Sequence, residues 1–171
     1  HVMFITKKFS PPGHWMNIVG IAAQKSKAGF HKTVAAYTLT SIAMFDAIIS
    51  CWYEKYQTNL VRPITYIQEH IDNNWTPLIQ TPPFPEYTSG HSAISAAAAS
   101  VLTHTYGDNY AFMDSTEVLF NQPVRRFTSF YDAAWEVSLS RFYAGIHYMN
   151  GITEGNKQGK FIGEFVLDSL K

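Results

Sequence analysis

Apolar residues recur along most of the chain at the three- and four-residue spacing of amphipathic helices, and strand-like alternation is hardly present. The opening through Pro11-Pro12-Gly13 predicts an irregular segment, and the pattern at 108–128 is too weak to predict an element. The spacing predicts helices over 15–25, 30–56, 64–71, 90–105, 129–142 and 152–170. We therefore expect an all-α fold, a helical bundle.

Prolines, glycines and one serine set the boundaries of these elements. Pro63 disfavours helical geometry at the residue before it and suits the first turn of a new helix. The segment 72–88 holds four prolines and is predicted to be an ordered loop. Ser89 is a candidate helix cap after that loop. Gly107 stops the next helix, and Gly145 interrupts a later one.

The most apolar stretch runs from Val34 to Tyr53 and is interrupted by hydroxyl residues and by Asp46. An aspartate at mid-span is costly in lipid. The stretch therefore predicts a buried helix of a soluble protein, and we expect a chain that does not span a membrane.

Length and charge narrow the classes of protein further. A chain of 171 residues fits one domain with its own core. Zero formal net charge argues against nucleic-acid binding, which needs a basic surface. The chain begins with His1, so we expect residues 1–171 to be one domain from the C-terminal part of a longer protein. We expect an exported or periplasmic location, and homo-oligomerisation stays open.

Lys55 lies on a helix face that should be buried. It continues the stripe formed by Met44, Ile48 and Cys51. A lysine there needs either an anion or a route for its ammonium group to reach water. Both readings stay open.

Arg141 has the same problem, because it shares a helical stripe with Phe130, Ala134 and Val137. A guanidinium cannot lose its charge, and its planar fork suits phosphate-like oxygens. The alternative is a salt bridge to Asp46, Asp132 or Glu136.

Two further motifs could complete an anion site. Ser89-Gly90-His91 opens a helix, and helix N-termini bind anions through free N–H groups and the macrodipole. A simple helix start explains Ser89-Gly90-His91 equally well.

His147 follows Arg141 by six residues, which would place the two side chains about 120° apart on an unbroken helix. Gly145 allows a bend between them. The alternative for His147 is a core histidine whose hydrogen bonds are satisfied.

The order and spacing of these motifs are more specific than any one of them. Together they resemble the three-part signature of the type 2 phosphatidic acid phosphatase and vanadium-dependent haloperoxidase superfamily. The surrounding sequence resembles its soluble, haloperoxidase-like branch, and the match spans about Asp46 to Gly163. The resemblance to the superfamily rests on three motifs: Lys55-x6-Arg62-Pro63, Ser89-Gly90-His91 and Ser140-Arg141-x5-His147. The resemblance to the branch rests on the stretches around them, "VRPITYI", "TPPFPEYTSGHS" and "SRFYAGIHY".

The resemblance implies a helical bundle of the acid phosphatase/vanadium haloperoxidase type, and a role for each matched residue. His147 would be the nucleophile on phosphorus or the protein ligand to vanadium, and His91 the general acid–base. Trp52 and Phe84 would line the pocket. The oxyanion would be bound by Lys55, Arg62, Ser89, Gly90 and Arg141. Vanadate would be the cofactor, or phosphate the substrate or its mimic, and no divalent metal is expected.

The chain departs from the family pattern at two positions. Thr88 stands where a proline usually precedes Ser-Gly-His. Gly151 stands where many members carry an aspartate that would fix the tautomer of the second histidine. A backbone carbonyl or Asp46 could take its place.

Three functions follow as expectations. The first is a haloperoxidase, in which vanadate on His147 activates peroxide toward a halide. The second is an acid phosphatase that hydrolyses phosphomonoesters through a phosphohistidine. The third is a phosphate-binding helical module whose catalytic site has decayed. In each, the partner is a small oxyanion or a phosphoester.

Overall fold

The computed structural model describes residues 10–169. Helices dominate residues 10–169, with one short antiparallel hairpin, so the predicted all-α fold is confirmed. The helices are α1 (Pro11–Lys25), α2 (Phe30–Thr58), α3 (Pro63–His70), α4 (Gly90–Tyr106), α5 (Phe130–Tyr143) and α6 (Met149–Ser169). The hairpin consists of β1 (Phe112–Asp114) and β2 (Arg125–Phe127), with a 3₁₀ turn at Val118–Phe120 between them.

The predicted irregular start is wrong from Pro11 onward, because α1 begins there. Ser10 caps this helix, and its Oγ accepts a hydrogen bond from the Gly13 N–H at 3.2 Å. Proline is well tolerated in the first turn, where its missing N–H would have no helical partner. The Pro-Pro-Gly sequence therefore starts the helix and does not prevent it.

The hairpin occupies the segment for which the sequence predicted no element. Phe112 pairs with Phe127 across the two strands, and both side chains are buried. The Phe112 ring stacks on Phe130 of α5 with 5.1 Å between ring centroids. Strands of three residues are too short to show a two-residue alternation, so this element has no clear sequence signal.

The centre of the bundle is α4, which contacts α1, α2, α5 and α6. Its residues from Ser92 to Leu102 are all buried. Most of them are alanine or serine, whose short side chains let neighbouring helices approach closely. This packing holds the N-terminus of α4, where the candidate site begins, in a fixed position.

The closest approach is between α4 and α6, where α6 presents glycines at four-residue intervals. A Cβ built on Gly159 would lie 2.0 Å from the Ala93 carbonyl oxygen, and one on Gly155 would lie 2.8 Å from the Ser89 carbonyl oxygen. Backbone atoms cannot move aside as a flexible side chain can. The spacing between the two helices therefore depends on these glycines.

We expect Gly159→Ala to lower the free energy of unfolding by about 1–3 kcal/mol, as overpacking does. Helix propensity alone would give the opposite sign, about 1 kcal/mol of stabilisation. Gly29→Ala, at the N-cap of α2, is the control for an added methyl group without crowding, because no heavy atom beyond its chain neighbours lies within 4 Å of its Cβ position. Urea denaturation of both variants measures the difference. An unchanged or higher stability of Gly159→Ala would contradict the close packing.

The predicted burial of Val34 to Tyr53 is confirmed for one side of α2 only. Ala43 and Cys51 are fully buried, whereas Phe45 is 65% exposed and Tyr53 67% exposed. By length and composition, the segment Phe30–His70 contains a helix that could cross a membrane, a test that the core helix of a soluble protein also passes.

Candidate functional site

Residues from all three sequence motifs meet at an open cavity of about 1460 Å³. Helices α2, α3 and α4 bring the first two sequence motifs, and the end of α5 with the turn after it brings the third. Seven of the predicted site residues line this cavity: Trp52, Arg62, Phe84, Gly90, His91, Arg141 and His147. Lys55 and Ser89 are fully buried and are not among its lining residues.

Arg62 lies just before α3, in the extended conformation that the following proline favours. Its Nε donates to the Phe84 carbonyl at 2.9 Å, and its Nη1 lies 2.7 Å from the Ile146 carbonyl and 3.0 Å from His147 Nε2. Its Nη2 is buried without a hydrogen-bond partner among residues 10–169. One nitrogen of this buried guanidinium is thus left without a hydrogen bond by the described residues.

Arg141 occupies the last turn of α5, and its Nε is likewise buried without a hydrogen-bond partner in the described chain. The proposed salt bridges are not formed there. Asp132 accepts from the Thr128 N–H, and Glu136 pairs with Arg125 at 2.5 Å. The structure therefore leaves a second guanidinium at the cavity without a carboxylate.

Lys55, which the family resemblance implied would bind the oxyanion, contacts backbone carbonyls instead. Its Nζ donates to the carbonyls of Pro85, Glu86 and Thr88 at 3.0, 2.9 and 2.5 Å. These contacts account for the three N–H groups of an ammonium. Burial lowers the pKa of Lys55 to about 8. In this structure Lys55 holds the loop before Ser89, and it would have to release one carbonyl to bind an oxyanion directly.

The start of α4 has the predicted cap. Ser89 Oγ accepts from the Ser92 N–H at 3.4 Å, and the Ser89 N–H donates to the Gly151 carbonyl at 2.9 Å. At Gly90, a Cβ would lie 3.2 Å from the Trp52 ring. The absent side chain therefore lets the helix N-terminus pack against Trp52 at the cavity wall.

The two predicted pocket aromatics are in contact. Trp52 and Phe84 lie with ring centroids 5.0 Å apart, and the Arg62 guanidinium carbon lies 5.2 Å from the Phe84 centroid. A cation over an aromatic face is attracted by the ring quadrupole. The pair therefore helps to orient Arg62 at the cavity.

His147 follows the turn that Gly145 makes with a φ of +75°, a conformation that favours glycine. The imidazole is 5% exposed, and its Nδ1 lies 2.6 Å from Glu86 Oε1. Because arginine can only donate, the Arg62 contact makes Nε2 an acceptor and places the proton on Nδ1. Burial, with the positive charges of Arg62, Lys55 and Arg141, holds the pKa of His147 far below its usual range.

Glu86 is the site residue that the sequence reasoning missed. The orienting group for His147 was expected to be a backbone carbonyl or Asp46, and both suggestions are wrong. Glu86 lies near the end of the proline-rich segment 72–88, and Gly151 lies against its carboxylate. A glycine where a carboxylate was expected was the available signal, because it leaves room for one from elsewhere.

The charges around His147 favour an anion. Lys55, Arg62 and Arg141 bring three positive charges close to this ring, against the carboxylate of Glu86. The carboxylates that line the rest of the cavity are paired with His14 or Arg125; they are Asp114, Glu117 and Glu136. The two guanidinium groups retain buried donor atoms without partners, and such atoms are costly unless a ligand satisfies them. The ion-paired alternative for Arg141 does not fit this arrangement.

The chain matches a known protein family over most of its length. Residues 35–73 and 68–171 match the model of the VCPO second helical-bundle domain, which covers well over half of the chain. The chain belongs to the vanadium haloperoxidase family. The vanadium chloroperoxidase of Curvularia inaequalis is 26% identical in an alignment of 163 positions that covers 66% of this chain and 27% of that protein.

Solved structures of the family superpose on the chain. A bacterial vanadium-dependent iodoperoxidase matches 98% of this chain with a TM-score of 0.94 and 54% sequence identity. The holo form of a bacterial vanadium-dependent chloroperoxidase matches 92% with a TM-score of 0.77 and 18% identity, a likeness of fold. This haloperoxidase-family chain spans 41% and 40% of the lengths of those two chains.

Proposed function

We propose that this chain carries the vanadate site of a haloperoxidase that oxidises iodide with hydrogen peroxide. The observation that carries the proposal is a pair of buried guanidinium nitrogens, Nη2 of Arg62 and Nε of Arg141, that have no hydrogen-bond partner within residues 10–169. Both residues line the cavity beside His147. A tetrahedral oxyanion is the ligand that this donor set suits.

The residues present fit vanadate. Arg62, Arg141 and the N-terminus of α4 would hold its oxygens, each charge-assisted hydrogen bond contributing about 1.5–3 kcal/mol. His147 would be the ligand to vanadium through Nε2, since Nδ1 already donates to Glu86. Arg62 Nη1, which lies 3.0 Å from Nε2, would have to turn from the ring to the oxyanion. When bound, vanadate supplies the Lewis acid that activates hydrogen peroxide toward a halide.

The other residues would control protons and water around the bound anion. His91 is partly buried at the cavity wall in the first turn of α4, where it could take and return protons at the reacting oxygens. Trp52 and Phe84 cover one side of the cavity with aromatic surface, which excludes water and strengthens the charged contacts.

Iodide is proposed over chloride because of the degree of similarity. The chain is 54% identical to the protein described as an iodoperoxidase and 18% identical to the bacterial chloroperoxidase. Iodide is also the more easily oxidised of the two halides.

The test is iodide oxidation by the purified chain with hydrogen peroxide, before and after loading with orthovanadate. Triiodide absorbance reports the product. We expect turnover that requires vanadate and is inhibited by inorganic phosphate, which competes for the same donors. Chloride should give a far smaller rate under the same conditions.

Two results would overturn the proposal. One is vanadate binding without halide oxidation, which would indicate a module that binds anions only. The other is hydrolysis of a chromogenic phosphomonoester with no vanadate-dependent oxidation, which would indicate phosphatase chemistry.

A further inference from the structure

We propose that Glu86 is the residue that positions His147, and that Gly151 is a glycine in order to admit the Glu86 carboxylate. The carboxylate reaches His147 from the loop before α4 and not from helix α6. The part of this inference that concerns anion affinity rests on the proposed function. The part that concerns the tautomer of His147 does not.

The contact between the two side chains is short and shielded from water. Glu86 is fully buried, His147 is 5% exposed, and 2.6 Å separates Oε1 from Nδ1. The same oxygen accepts the Tyr148 N–H at 3.1 Å, just before α6 begins at Met149. A carboxylate at a helix N-terminus is stabilised by the macrodipole. Two donors therefore fix Oε1 of Glu86 beside the imidazole ring.

The space for this carboxylate exists because residue 151 has no side chain. A Cβ on Gly151 would lie 2.1 Å from Glu86 Oε1 and 2.7 Å from its Cδ. The next two glycines of α6, Gly155 and Gly159, meet atoms of α4 instead. Helix packing explains those two glycines, whereas the Glu86 carboxylate explains Gly151.

The loop does not need the Glu86 side chain to hold its place. The Glu86 N–H donates to the Leu60 carbonyl at 2.8 Å, and its own carbonyl accepts from Lys55 Nζ at 2.9 Å. Arg62 Nε holds the Phe84 carbonyl at 2.9 Å. Since backbone contacts fix the loop, the buried carboxylate acts chiefly on the ring of His147.

The positioning role of Glu86 follows from the chemistry of the His147 imidazole. A carboxylate on Nδ1 keeps the proton there and leaves the Nε2 lone pair facing Arg62 and the cavity. It also stops the ring from rotating about its Cβ–Cγ bond. Removing such a partner behind a ligand histidine typically lowers affinity about 10- to 100-fold.

The experiment moves the carboxylate from one element to the other. Vanadate affinity is measured by ⁵¹V NMR or calorimetry for wild type, Glu86→Ala, Glu86→Gln, Gly151→Asp and the double variant Glu86→Ala/Gly151→Asp. Glu164→Gln, an exposed change on α6, is the matched control. We expect about a 10- to 100-fold loss for Glu86→Ala and recovery of most of it in the double variant. Gly151→Asp alone should be impaired, because two carboxyl groups would compete for one space.

The second readout is the ¹⁵N spectrum of the His147 ring without any anion. Wild type, Glu164→Gln and the double variant should show the Nδ1–H tautomer, and Glu86→Ala should lose it. Glu86→Gln, which nearly preserves shape, covers the case that Glu86→Ala does not fold. Wild-type affinity in Glu86→Ala, or an unchanged tautomer there, would overturn the inference. If wild type fails to bind vanadate, the proposed function fails, and the tautomer still decides the role of Glu86.

Discussion

His147→Ala should lower vanadate affinity by more than about 100-fold and abolish iodide oxidation. Losing a partner behind a metal-binding histidine costs about 10- to 100-fold, and losing the ligand itself should cost more. Glu86 would keep the Tyr148 N–H but lose its closer donor, so stability should also fall by about 1–3 kcal/mol. Calorimetry with orthovanadate and a urea denaturation curve measure the two effects separately.

The matched control for this variant is His104→Ala, because His104 is an exposed histidine near the end of α4. It should bind vanadate and oxidise iodide like wild type. If His147→Ala stays within about threefold of the wild-type vanadate affinity while folding normally, His147 is not the ligand, and the anion binds through the cations alone.

Arg141→Ala should lower vanadate affinity without lowering the free energy of unfolding. One charge-assisted contact is worth about 1.5–3 kcal/mol, so vanadate affinity should fall roughly 10- to 150-fold. Stability should hold or rise, because the variant removes a cation whose buried Nε has no partner in residues 10–169. This opposite movement of affinity and stability is the mark of a donor kept for a ligand.

Arg126→Ala serves as the control for this variant, since Arg126 is an exposed arginine on β2. It removes the same charge from the chain at a position outside the cavity lining. Arg141→Lys should recover part of the affinity, because an ammonium supplies the charge without the fork. A strongly destabilised Arg141→Ala with wild-type affinity would assign Arg141 to the core and not to the anion.

Much of the helical layout could be predicted from the sequence, because helix periodicity and caps are local signals. Ser89 caps α4, and Gly145 makes the turn that brings His147 to the cavity. The burial of Lys55 also follows from its stripe, whereas the stripe of Arg141 left open whether an anion or a carboxylate would pair with it. Motif spacing then linked these positions to one site.

Other features depend on contacts between distant segments and left little local trace. Glu86 and His147 are 61 residues apart, and a loop held by Lys55 and Arg62 brings them together. The same loop takes the three donors of Lys55, which sequence reasoning had assigned to an oxyanion. Side-chain chemistry thus predicted which groups need partners, whereas the fold decided which partners they have.

A crystal structure of the chain with bound vanadate tests the central claim most directly. The account predicts vanadium bonded to Nε2 of His147, vanadate oxygens on Arg62 and Arg141, and Nδ1 still on Glu86. Vanadate bound elsewhere, or held in this cavity without contact to His147, would contradict it.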